Sequence, residues 1–264
     1  MTEFPIHSVR SPLVIGATGG SGTRVMARIV RRAGYDLGTY LNEAEDALAF
    51  APFHDRWINR LLAADARPLT THEDRQLVDE FRSALKRHAP AGPQRELWGW
   101  KAPRSIYFLP LLQRLFPQMK FIHAVRDGRD MAFSENQNQL RKHGAAVLGW
   151  RERWLAPKPL RSILLWDRVN RRAAAYGEDT MGDSYLAVRF EDLCCAPVET
   201  VERILCFLGS NLGAREIARG EIAPPATLAR WRSHPAHITR RLTEAAAVSL
   251  EKFGYLAPSA PSQR

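Results

Sequence analysis

Residues 13–34 read LVIGATGGSGTRVMARIVRRAG. Val14 and Ile15 lie in a short apolar run, the pattern of a buried strand. Gly16, Gly19 and Gly20 follow, then Gly22 and Thr23. Val25, Met26, Ile29, Val30 and Ala33 recur at helical spacing, and Gly34 is placed to stop the helix. Strand, glycine turn and helix is a layout that binds phosphate: backbone N–H groups converge on the anion and the helix N-terminus adds partial positive charge. Ser21 and Thr23 bring hydroxyl donors, and Arg24 brings a cation for an oxyanion. The same pattern also describes an ordinary tight strand–helix connection. Gly16 opens a GxxxxGK[ST] frame, but its sixth residue is Ser21 and no Lys precedes Thr23; GxGxxG is absent. The rest of the chain has to decide between the two readings.

The 264 residues are 45% hydrophobic and 25% charged, which fits a single α/β domain over residues 1–264, with a helical insert at about 42–90 and a flexible tail at about 257–264. The formal net charge of +10 suits an anionic ligand. The arginines are scattered rather than gathered in one tract, which favours a localised site over a nucleic-acid tail. Cys194, Cys195 and Cys206 form no CxxC, so a zinc site is not expected. Their odd number and the absence of an apolar leader in MTEFPIHSVR suggest reduced thiols in the cytoplasm. No run approaches the roughly 18 apolar residues of a membrane span.

Along the chain, residues 1–11 lead in and 35–41 form a loop with Gly38. A helical stretch is expected from Asn42, as a cap, through Glu43, Glu45 and Asp46, broken at Pro52 and resuming at Phe53, Trp57, Ile58, Leu61 and Leu62. Residues 71–88 read as an amphipathic helix with Leu77, Val78, Phe81 and Leu85 inward and a capping pair Thr71/Asp74. A loop at 90–95 precedes a second strand ending at Lys101. Residues 106–116 are helical, and 119–125 form the third and clearest strand. The chain then turns at RDGRD into a helix over about 129–142. Residues 143–160 read as irregular, with Trp150 and Trp154 either packed in the core or shaping an acceptor pocket together with the insert. Helices at 162–176 and about 198–208 flank the fourth strand, 185–190, and a last helix runs over about 238–253. Alternating strands and helices imply a parallel sheet covered on both faces, with ligands at the C-terminal strand ends. The glycine turn, Lys101, Arg126 and Arg189 all lie near such ends. Arg126 and Ser134, eight residues on, can hold one phosphate while the glycine turn holds another, which suits a nucleotide phosphorylated at two positions.

The glycine turn with Ser21-Gly22-Thr23, WGWKAPR, FPQMKFIHAVRDGRDMAFS and YLAVRFEDLCCAPVETVERILCFLG together resemble the PAPS-dependent sulfotransferases, PAPS being 3′-phosphoadenosine 5′-phosphosulfate. The resemblance runs over about 13–209. It implies a P-loop-type parallel sheet flanked by helices and an enzyme that moves the sulfuryl group of PAPS, leaving PAP. The acceptor would be a hydroxyl or amine of a small molecule or glycan, and no metal would be needed. By resemblance, Gly19, Gly20, Ser21, Gly22, Thr23 and Arg24 bind the 5′-phosphosulfate, and Arg126 with Ser134 binds the 3′-phosphate. Arg189 supports the structure, and His123 is a packed histidine in the third strand.

Two departures matter. The family usually has Lys or Arg directly before Ser-Gly-Thr, where this chain has Gly20; Arg24 or Lys101 is expected to supply that charge. Cytosolic members carry a basic His where this chain has Pro103, whereas other branches use a Glu after the first helix, near Glu43 here. The expected base is therefore Glu43, with Asp46 second. Two rival readings stay open: a small-molecule P-loop kinase, which lacks its phosphate-loop Lys, and a catalytically degenerate nucleotide-binding protein. Neither the acceptor nor the oligomeric state is legible.

Overall fold

The computed structural model describes residues 11–63, 67–89 and 96–256. The lead-in before residue 11, the loop at 90–95 and the tail at 257–264 lie outside the described residues. Strands β1 (Leu13–Ala17), β2 (Gly99–Lys101), β3 (Lys120–Val125) and β4 (Tyr185–Arg189) form one parallel sheet in the order β2-β1-β3-β4. Val14 lies beside Trp100 and Phe121, and Ile15 beside Lys101 and Ile122. Val125 pairs with Arg189. Parallel pairing requires long return connections, here helices, and gathers the C-terminal strand ends on one edge.

The helices are α1 (Thr23–Arg32), α2 (Ala51–Leu62), α3 (Thr71–His88), α4 (Leu109–Leu115), α5 (Gly128–Ala132), α6 (Asn138–Val147), α7 (Trp150–Leu155), α8 (Lys158–Tyr176), α9 (Phe190–Cys195), α10 (Pro197–Leu208), α11 (Ala214–Glu221), α12 (Ala236–Ala245) and α13 (Ala247–Lys252). The period of two along the strands sorts their side chains between the sheet faces. Val14, Trp100 and Phe121 join an aromatic layer with Phe50, Trp57 and Phe81, so the helices α2 and α3 of the insert share the core of the sheet. Leu13, Ile15, Ala17, Ile122 and Ala124 pack on Met26, Ile29 and Val30 of α1 and on α10 and α11. The three α1 side chains are fully buried, each contributing about 1.5–3 kcal/mol. Gly34, at φ 94, closes α1: its N–H donates to the Arg31 carbonyl and that of Tyr35 to the Val30 carbonyl.

Several local expectations are corrected. Residues 42–47 are a turn, not the start of a helix: Glu45 has φ 64, and Asn42 Oδ1 accepts from the Asp46 N–H at 2.8 Å. Pro52 opens α2 rather than breaking it, because a first-turn residue has no intrahelical N–H bond to lose. The capping box of α3 is Thr70/Glu73, one residue earlier than Thr71/Asp74, with Glu73 N–H to Thr70 Oγ1 at 3.2 Å and Thr70 N–H to Glu73 Oε2 at 2.8 Å. The helix expected over 129–142 is two helices, α5 and α6. Gln137 Nε2 donates to the carbonyls of Met131 and Ser134 (2.9 and 2.8 Å) and stabilises the break. Residues 143–160 are largely helical, with α7 inside them, and the last helix divides into α12 and α13 at Ala246.

Candidate active site

A cleft of about 620 Å³ is walled on one side by the turn after β1 and on the other by the 42–51 segment and the end of β2. The turn is shaped by glycine backbone. Gly20 (φ 85) and Gly22 (φ 76) both adopt left-handed conformations, and a Cβ at Gly22 would lie 2.1 Å from the Phe190 ring. Ser21 is fully buried, and its hydroxyl donates to the Thr18 carbonyl at 2.7 Å. That hydroxyl closes the turn, so what Ser21 offers a ligand is its N–H. Among the described residues, the amides of residues 20–24 donate to no protein acceptor. Gly19, Gly20, Gly22, Thr23 and Arg24 line the cleft. Arg24 is exposed and has no hydrogen-bond or ion-pair partner among the described residues. The turn and the N-terminus of α1 are thus an anion cradle of unpaired donors and positive partial charge.

On the opposite wall Lys101, only 1% exposed, ends β2. Its Nζ donates to Asp46 Oδ1 at 2.5 Å and to the Ala44 carbonyl. Burial pulls the Lys101 pKa below its ordinary value, and the Asp46 carboxylate opposes that pull. The left-handed residue Glu45 separates the three acids of this turn. Glu45 turns back to α1, accepting from Arg28 at 3.2 Å and from Arg31. Asp46 turns into the cleft. Glu43, the expected base, is exposed and does not line the cleft, so the carboxylate the fold presents there is that of Asp46.

Arg126 leaves β3 and is 6% exposed. Its Nη2 donates to Asp130 Oδ2 (3.1 Å) and to the Thr227 carbonyl (2.6 Å), while its buried Nε has no partner among the described residues. Asp130 also accepts from the N–H groups of Ala229 (2.8 Å) and Trp231 (3.1 Å), strapping residues 227–231 over Arg126. Phe190 packs against both the Arg126 guanidinium, 5.2 Å away, and Gly22, so one ring separates Arg126 from the glycine turn. Ser134 flanks the turn: its Oγ lies 4.0 Å from where a Gly20 Cβ would be. Neither Arg126 nor Ser134 lines the main cleft; both stand on its flank.

His123 is fully buried between Tyr185 Oη (2.5 Å) and Asn170 Oδ1 (2.8 Å), and burial lowers its pKa to about 4. Arg189 lies over the Tyr255 ring at 4.5 Å and 3.6 Å from Asp192, outside the cleft lining. Sequence reasoning missed His54, Arg104 and Gln139, which do line the cleft. Gln139 donates to the Ala17 carbonyl (3.2 Å) and accepts from Tyr107 (2.9 Å). His54, 4% exposed, is held neutral by burial and by Arg104. It follows Phe53 on an apolar helix face, where a core histidine looks the same; only Arg104, inside the WGWKAPR segment, carried a signal.

The model of the sulfotransferase family matches residues 12–213. This chain belongs to the sulfotransferase family. The match takes in the glycine turn, Lys101, Arg126 and Ser134 and ends before the 227–231 strap. Among solved structures, the sulfotransferase is similar to the sulfotransferase domain of the Synechococcus PCC 7002 olefin synthase (TM-score 0.55, 19% identity, 95% of this chain and 97% of that one). It is also similar to sulfotransferase STF1 of Mycobacterium tuberculosis H37Rv (TM-score 0.57, 15% identity, 93% and 79%). A third is a retinol dehydratase in complex with androsterone and inactive cofactor PAP (TM-score 0.50, 14% identity, 96% and 83%). At such identities these likenesses establish the shared fold. A search of curated proteins returned no match. No helix among the described residues is long and apolar enough to cross a membrane.

Proposed function

We propose that this sulfotransferase takes PAPS as donor and moves its sulfuryl group to a hydroxyl or amine of a small-molecule or glycan-type acceptor. The observation that carries the reading is the cleft-lining turn whose amides at residues 20–24 have no acceptor among the described residues. That cradle fits a phosphosulfate: the donors are unpaired, glycines leave the surface bare, and Arg24 and Lys101 stand at its sides. The PAP bound by the retinol dehydratase of the same fold adds support.

In this reading the amides and the Thr23 hydroxyl hold the 5′-phosphosulfate. Arg126, whose Nε has no partner among the described residues, and Ser134, whose Oγ accepts among them only from the Asn136 N–H (3.3 Å), hold the 3′-phosphate. The new bond joins the acceptor atom to sulfur as the bond from sulfur to the 5′-phosphate oxygen breaks. Asp46 takes the proton the acceptor loses, and Lys101 and Arg24 stabilise the charge gathering on the departing phosphate. Preorganised cations and oriented reactants supply most of the acceleration in such transfers, and a general base adds about 10²–10⁴-fold. The test is radiolabelled PAPS offered with a panel of hydroxyl and amine acceptors. Acceptor-dependent label transfer that is lost in Lys101→Met supports the reading. Magnesium-dependent use of ATP in its place contradicts it.

A further inference from the structure

Trp150 and Trp154 are not packed in the core. They are 65% and 75% exposed, and Leu155 beside them is 74% exposed. All three belong to α7, with Trp150 and Trp154 one turn apart on one face. Arg151 and Arg153 are on the same helix, and Arg153, Lys158 and Arg161 border one groove with Trp154. The Arg151 guanidinium lies 5.5 Å from the Trp150 ring. Glu152 is the sole acid between residues 149 and 161, and it is turned inward. Its carboxylate accepts from Arg168 Nη2 (2.6 Å) and Nη1 (2.8 Å) and from the Gly149 N–H (2.8 Å). The outward charge of the segment is therefore positive. Behind it lies a groove of about 420 Å³ bordered by Leu140, Leu148 and Trp154.

From this surface we infer that α7 docks the enzyme on an anionic lipid membrane. Indole rings favour the headgroup level, where the ring is buried and its N–H stays wet, and each basic residue near an anionic surface adds about 1 kcal/mol of attraction. A protein partner fits the dimensions less well. Two Trp and one Leu offer at most about 500 Å² of apolar contact, short of the roughly 800 Å² per side of a stable interface. Arg141 borders both this groove and the catalytic cleft, so a surface-bound enzyme would hold the cleft close to the lipid.

The test is co-sedimentation of the full chain with phosphatidylcholine vesicles and with vesicles of phosphatidylcholine and phosphatidylglycerol. The wild type is expected to pellet with the anionic vesicles about tenfold or more better than with the neutral ones, and less so as salt rises. Trp150→Ala with Trp154→Ala, and separately Arg151→Glu with Arg153→Glu, are each expected to lose that binding by about tenfold or more, with unchanged melting curves. Equal pelleting with both vesicles, no pelleting, or binding unaltered in both double variants would overturn the proposal. So would a concentration-dependent dimer of the wild type that the Trp variant abolishes, since the surface would then belong to a second copy.

Discussion

The two walls of the cleft are built on different principles. The turn at residues 18–24 presents its main chain, with left-handed glycines and amides that have no partner among the described residues. The turn at 42–47 works through its side chains, with Asp46 aimed by Asn42 and locked to a buried Lys101. A main-chain site is sensitive to any added atom and indifferent to most side-chain chemistry. A side-chain site tolerates reshaping and fails when a charge is removed. The variants below would break or sharpen that contrast.

The largest effect is expected at Gly22. Gly22→Ala puts a Cβ against Phe190 and a side chain at φ 76, costing about 4 kcal/mol from overpacking and left-handed strain. Urea denaturation reads this, and a loss under about 1 kcal/mol would show that the turn adapts. Next comes the sheet beneath both walls, where His123 pairs in register with Gly16. Its pKa is lowered from 6.5 to about 4, so the folded protein refuses a proton the unfolded chain accepts. The associated stability is complete above about pH 6.5 and is lost as pH falls toward 4, by about 3 kcal/mol. His143, also lowered to about 4, steepens the same acid limb. Denaturation midpoints that stay level across that window would contradict the assignment.

On the side-chain wall, Asp46→Asn should reduce turnover about a hundredfold while PAP affinity holds, whereas Glu43→Gln should change turnover less than about twofold. The reverse ranking would return the base to Glu43. The smallest effect is expected for Gly20→Lys, which places a cation in the glycine turn at the position where the family resemblance leads one to expect it. The left-handed φ and a Cβ placed 3.1 Å from the Met131 Cε cost about 1–2 kcal/mol, visible as a lowered melting temperature.

The sequence is most legible where local rules act. The β1–glycine–α1 unit, the parallel sheet and the bounds of α3 follow from apolar periodicity and helix stops, signals that need no partner. The second wall was harder, because its chemistry depends on one strained residue. Glu45 at φ 64 decides which of three neighbouring acids meets the cleft, and spacing alone cannot show a non-glycine residue in that conformation. The strap of residues 227–231 over Arg126 joins residues about a hundred positions apart and left no periodic trace. Composition leaves Trp150 and Trp154 either buried or pocket-lining; the six-residue α7 has no buried face, so the core does not receive them.

In the proposed function the glycine turn and the Arg126 flank form one site for a nucleotide with two separated phosphates. Calorimetric titration with PAP, against ATP with magnesium, of the wild type and Arg126→Ala tests it most directly. Micromolar PAP binding by the wild type, at least about tenfold weaker binding by the variant, and no comparable binding of ATP are expected. Preference for ATP, or PAP affinity indifferent to Arg126, would contradict it.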